Sequence, residues 1–171
     1  IYLRILDKIY KRNLTANISV KPTHIGLDVS SAVFEKNALK LVQKASEYNN
    51  FIRFDMENSS TTDNTIAVYK KIYKSYKNTG TVFQAYLKRT YNDLENLMNE
   101  KINFRLCKGI YNESKEIAYK NLSDINSNYL KIVEMAFINK SYIGIATHDL
   151  KLIEKIYFLI KKYNVPIENF E

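Results

Sequence analysis

Short apolar runs that alternate every second residue recur along the chain. Each is followed by a longer stretch whose apolar positions lie three or four apart, so strand and helix signals take turns. Ile18-Ser19-Val20 reads as a strand ending at Lys21-Pro22, and Phe34, Ala38, Leu41, Val42 and Ala45 then mark one face of a helix. Phe51 to Met56 alternates as a strand, followed by a helical stripe of Ile66, Tyr69, Ile72, Tyr73 and Tyr76. Thr81 to Leu87 is the next strand. Thr90-Tyr91-Asn92-Asp93 resembles a capping box with Asp at its last position, opening a helix through Leu94, Leu97 and Met98. Asn103 to Lys108 is a strand closed by Gly109. The polar region from Tyr111 to Ser127 is the least regular, with a short helix expected over Lys115–Tyr119. Tyr129, Ile132, Val133, Ala136 and Phe137 form another helical stripe, and Tyr142 to Thr147 another strand. Asp149 is placed to cap a last helix with Ile153, Ile156, Tyr157, Ile160 and Tyr163 inward. Val165-Pro166-Ile167 leads into Glu168 to Glu171, the start of a sixth strand.

This βα repetition implies a mainly parallel sheet with helices outside. Two architectures satisfy it: an open doubly wound sheet, and a (β/α)8 TIM-type barrel that is incomplete in this chain, since a barrel takes about 250 residues. The strand tips favour the barrel. Lys21, Asp55, Gln84, Arg105 with Lys108, and Thr147-His148 all fall toward the C-terminal ends of their strands. A barrel gathers those ends at one mouth, whereas an open sheet spreads them along an edge.

Composition narrows the picture without redirecting it. The chain has 171 residues, 46% hydrophobic and 26% charged, which suits one folded domain spanning 1–171. Its 26 basic against 18 acidic residues give a net charge of +8. The lysines sit on helix-like polar faces rather than in a localised basic motif, so no nucleic-acid partner is expected. The single cysteine, Cys107, excludes an internal disulfide framework and reads as a buried strand thiol. No apolar run approaches the roughly 20 residues of a spanning helix. The start, Ile1-Tyr2-Leu3-Arg4, carries neither an initiator Met nor a secretory signal, so the chain is expected to be an internal fragment of a cytoplasmic protein.

The groups at the tips are rich in cations, with one carboxylate. No nucleophilic triad, Walker loop or GxGxxG is present, and His24 and His148 offer no paired metal-ligand spacing, so no metal centre is expected. Amides at strand-to-helix turns, together with Lys or Arg, suit a phosphate-bearing ligand. On the residues alone, the chemistry stops at a barrel enzyme with an anionic ligand.

Four motifs in order carry it further: Phe54-Asp55-Met56-Glu57; Gln84 through Thr90; Arg105-Leu106-Cys107-Lys108-Gly109-Ile110-Tyr111 with Glu113; and Ala146-Thr147-His148-Asp149. Together they resemble the proline dehydrogenase family, FAD-dependent barrel enzymes, over nearly the whole chain from Ile18. The resemblance implies oxidation of L-proline to Δ1-pyrroline-5-carboxylate, with electrons passed to a quinone or other acceptor and, with it, peripheral association with a membrane. It implies that Lys21 helps hold the substrate carboxylate, that Asp55 organises the substrate pocket and that Arg105 lies beside the reactive face of the flavin. Gln84 is then a flavin-binding glutamine. Lys108, Gly109, Ile110 and Tyr111 form a cofactor-contacting turn, with Thr147 and His148 as further FAD contacts. Glu57 and Glu113 read as structural or helix-start acids.

Two departures stand out. The family usually has Asn at the place of Asp149, and a negative charge beside a pyrophosphate weakens binding unless it is neutralised. The family's closing helix, with paired arginines and a tyrosine, has no counterpart here, so the segment alone is expected to have little or no activity. Three other readings stay open at this point: a catalytically incomplete remnant, another barrel enzyme that binds a phosphorylated ligand, and a basic nucleic-acid-binding module.

Overall fold

Each short apolar run settles as a strand because its inward residues can be covered by the amphipathic helix that follows it. The structure is a computed structural model describing residues 1–171. Five strands, β1 (Ile18–Val20), β2 (Ile52–Phe54), β3 (Thr79–Gln84), β4 (Asn103–Cys107) and β5 (Tyr142–Ala146), follow one another in the order β1-β2-β3-β4-β5. β1 pairs with β2, β2 with β3 and β4 with β5, each in parallel. A doubly wound sheet reverses its strand order at a switch point. Here the order never reverses, as in a barrel. The chain divides into two compact units, Ile1–Thr81 and Val82–Glu171.

In the first unit, α1 (Tyr2–Lys11) precedes β1, α2 (Ser31–Glu47) joins β1 to β2, and α3 (Ser59–Ser75) joins β2 to β3. All five positions expected on the inward face of α2 are buried, and Phe34 meets Phe54 of β2 edge-on at 6.0 Å. Ser30 caps α2 by accepting from the amide of Val33 at 3.2 Å. The inward stripe of α3 is Thr62, Thr65, Val68, Tyr69, Ile72 and Tyr73, so Ile66 and Tyr76 lie only at its margins. The helix α1 was not foreseen. It buries Leu6 and Ile9 and docks on α2 through a hydrogen bond from Tyr48 to Asp7 (2.6 Å) and a stack of Tyr10 on Tyr48.

In the second unit, α4 (Thr90–Glu95), α5 (Leu122–Ile138) and α6 (Leu150–Tyr163) flank the strands. The stripe expected on α5 is buried throughout, and Phe83 packs edge-on against Phe104 at 5.9 Å. Several expectations need correction. The strand expected to reach Leu87 ends at Gln84; Ala85 and Tyr86 form a turn, and Leu87 makes one antiparallel bridge to Ala118. That bridge draws 115–118 into a turn hydrogen-bonded to the carbonyl of Ser114 instead of a helix. The capping box does not form. The Thr90 hydroxyl donates to the carbonyl of Gln84 at 2.7 Å, and Asp93 accepts from Arg89 at 2.6 Å. The irregular region ends at Asn121, because α5 begins at Leu122, ahead of the apolar stripe that starts at Tyr129. On α6 the inward residues are Leu152 and Ile156, while Tyr157 is 62% exposed. The sixth strand begins only at Phe170, where Glu171 exchanges hydrogen bonds with Ile143 and Ile145 beside β5.

Candidate active site

Strand parity decides which side chains can reach a site. In the first unit the register Ser19↔Arg53↔Gly80 puts these residues on one face of the strands, while Val20 and Phe54 turn to the helices. Lys21 and Asp55, one residue beyond β1 and β2, have the same parity as Ser19 and Arg53. The ladder continues to them, since the Asp55 amide donates to the carbonyl of Val20 at 2.9 Å. The structure thus brings Lys21 and Asp55 together on adjacent strand tips, both half-buried.

Glu57 has more to do than its reading as a structural acid implied. It is buried, and its two carboxylate oxygens accept from the backbone amide of Thr23 (2.9 Å) and from the Thr23 hydroxyl (2.8 Å). Thr23 begins the short 3-10 turn directly after Lys21-Pro22. Glu57 therefore fixes the turn that carries Lys21 with charge-assisted bonds, which are about twice as strong as neutral ones. The spacing of 34 residues between the two hides this link in the sequence. Arg53 is a further residue the sequence reading passed over. It is buried at mid-strand, between Ser19 and the side-chain-free Gly80, with its guanidinium 5.1 Å from the Phe51 ring.

In the second unit, β4 alternates cleanly. Phe104 and Leu106 are buried against the helices, while Asn103, Arg105 and Cys107 lie half-buried on the other face. Gly144 stands opposite Arg105 in register on β5, so the neighbouring strand carries no side chain beside it. Cys107 is half-buried rather than buried, with its thiol 3.6 Å from the carbonyl of Phe83. Gln84 closes β3 and is 2% exposed.

Two turns, after β4 and after β5, line one cavity of about 440 Å³. Its walls are Cys107, Lys108, Gly109 and Ile110 on one side and Ala146, Thr147, His148 and Asp149 on the other. Gly109 has φ +113°, which L side chains rarely adopt, and a Cβ there would stand 2.1 Å from the Tyr86 ring. Ile110 is exposed at the rim. Tyr111 does not line this cavity; it packs with Ile125 against Tyr86, Leu87 and Ala118. Two side chains of α5 peg the tips from behind. Asn128 donates to the carbonyl of Ala85 at 2.7 Å, and Tyr129 donates to that of Leu106 at 2.8 Å. Burial raises the Tyr129 phenol well above its ordinary pKa, so it stays a donor.

Asp149 caps α6 as expected, accepting from the amide of Leu152 at 3.2 Å. Its other oxygen accepts from Lys108 at 2.6 Å and from Asn126 at 3.1 Å. The Lys108 hydrogen bond, then the Leu152 amide and Asn126, hold the carboxyl down at about 2. The Asp149 carboxylate is therefore paired with Lys108 within the chain. The donor set of the cavity fits a phosphate-bearing group: an ammonium, a hydroxyl, an imidazole and a glycine turn that a ligand can approach closely.

Comparison with known proteins agrees with this reading of the fold. The family model described as proline dehydrogenase matches residues 2–171. Proline dehydrogenase 2 of Bacillus subtilis (strain 168) is 33% identical over 169 residues, covering 99% of this chain and 56% of the relative. Proline dehydrogenase of Deinococcus radiodurans is 26% identical over 174 residues, covering 99% of this chain and 56% of its own. The chain thus spans about half the length of the curated relatives it matches. Among solved structures, proline utilization A from Bdellovibrio bacteriovorus inactivated by N-propargylglycine superposes with a TM-score of 0.88 at 21% identity, over 99% of this chain and 22% of that one. The Bradyrhizobium japonicum protein of the same name, as its D779W mutant, superposes at 0.81 and 18% identity, over 99% and 21%. These likenesses agree with an incomplete (β/α) barrel. With the family model running through every strand and both turns of the cavity, the chain belongs to the proline dehydrogenase family.

Proposed function

We propose that this chain carries the cofactor turns and part of the substrate site of an FAD-dependent proline dehydrogenase, which oxidises L-proline to Δ1-pyrroline-5-carboxylate. The observation that carries the reading is the cavity whose two walls are the very turns, Lys108–Ile110 and Thr147–His148, that the family motifs mark. Bound FAD supplies the acceptor for the hydride from proline; the protein supplies binding, orientation and electrostatics.

Lys108 offers a charged donor for a phosphate, with Thr147 and His148 across the cavity and the amides of Gly109 and Ile110 alongside. Gly109 keeps the backbone close by leaving no Cβ in the way. Gln84 offers an amide hydrogen bond to the flavin ring. Arg105 places a permanent cation where negative charge develops on reduction, and Gly144 leaves room beside it. Tyr111 contributes by packing the turn. In the first unit Lys21 acts as a point charge for the proline carboxylate, on a turn set by Glu57. Asp55, on the next tip, shapes the pocket around the substrate amine.

The electron acceptor is a quinone or another oxidant, met at a membrane surface by peripheral contact. No helix of the chain is long and apolar enough to cross a membrane. Anaerobic addition of L-proline to the FAD-loaded full-length protein is expected to bleach the visible flavin absorbance. Retention of flavin with no bleaching would show a remnant of the family that no longer turns over.

A further inference from the structure

We infer that Asp149 competes with the cofactor for Lys108, so that this chain binds its phosphate-bearing ligand against an internal ion pair. The inference rests on the cavity being the FAD site and concerns what limits affinity there. Lys108 is the only ammonium among the residues lining the cavity, and its Nζ lies 2.6 Å from Asp149 Oδ2. Asn126 donates to the same oxygen, and the amide of Leu152 holds the other. The carboxylate is thus fixed in place by three donors and cannot swing aside when an anion arrives. Thr147 adds to the fixation, since its hydroxyl accepts from the Asp149 amide at 3.2 Å. A phosphate entering between the two turns must either share Lys108 with Asp149 or draw it away from that ion pair.

Asparagine at this position keeps the size of the side chain and caps a helix as well as aspartate does, so Asp149→Asn removes the charge and leaves the fold in place. Asp149→Ser is a second neutral cap that controls for any effect peculiar to the amide. FAD is titrated into the full-length wild-type protein and each variant at one salt concentration, with quenching of flavin fluorescence as the readout. Both neutral variants are expected to bind FAD roughly tenfold more tightly than the wild type. Adding Lys108→Met to Asp149→Asn is expected to abolish the gain, because the gain comes from the released ammonium.

Equal or weaker binding by the neutral variants would overturn the inference while leaving the cofactor assignment standing. So would a gain that survives the loss of Lys108. Absence of FAD binding in all of the proteins would remove the inference and the assignment together.

Discussion

The two halves of the chain put an acid to work beside a strand tip in opposite ways. In residues 1–81, Glu57 accepts from the amide and hydroxyl of Thr23, so its charge orients the turn that carries Lys21. In residues 82–171, Asp149 is committed to the lysine itself. The same residue class thus presents a cation in one place and masks it in the other. What differs is that the donors to Asp149 include, beside the Leu152 amide and Asn126, the charged side chain that a ligand would need.

The largest expected effect tests the masked half. Gly109→Ala forces a φ of +113° on an L residue and drives its Cβ into the Tyr86 ring, and is expected to destabilise the protein by about 3 kcal/mol in urea unfolding. A loss below about 0.5 kcal/mol would mean that the turn is not held as described. Next comes the presenting half. Glu57→Ala strands the half-buried Thr23 donors and is expected to cost about 2 kcal/mol, with Glu57→Gln costing less because one acceptor survives. In proline turnover assays both should raise KM more than they lower kcat, since Lys21 loses its fixed position. A fall in kcat at constant KM would place Glu57 in the chemistry instead.

Tyr129→Phe leaves the carbonyl of Leu106 without its side-chain donor and is expected to cost about 1 kcal/mol, read from the unfolding midpoint. The smallest effect is the acid limb of stability. Asp149 has its folded pKa lowered from 3.8 to about 2, so its contribution is complete above pH 3.8 and is lost as pH falls toward 2. Asp149→Asn should flatten this part of the stability profile and lower the plateau above it without changing its slope.

Local periodicity made the framework legible. Phe34 through Ala45 and Tyr129 through Phe137 repeat at helical spacing, and each of those residues is buried because a strand lies under the face they share. The strand tips were legible for the same reason, as polarity appears where each ladder ends. What the sequence did not disclose depends on partners far away along the chain. Thr90 and Asp93 have the spacing of a cap, yet Gln84 and Arg89 offered them other partners. Residues 115–118 carry helix formers but pair with Leu87 through Ala118, and a single bridge outweighs one turn of weak helix. Tyr157 fits the apolar period of α6 and is exposed because Leu152 and Ile156 alone form the buried stripe. The resemblance flagged Asp149 as an uncompensated charge. Its partner, Lys108, lies 41 residues away and could only be seen once β4 and β5 were paired.

The most direct test is a crystal structure of the full-length protein with FAD. The account predicts the cofactor's phosphates within hydrogen-bond reach of the Lys108–Ile110 turn and of Thr147 or His148. Phosphates bound elsewhere, with this cavity holding only solvent, would contradict it.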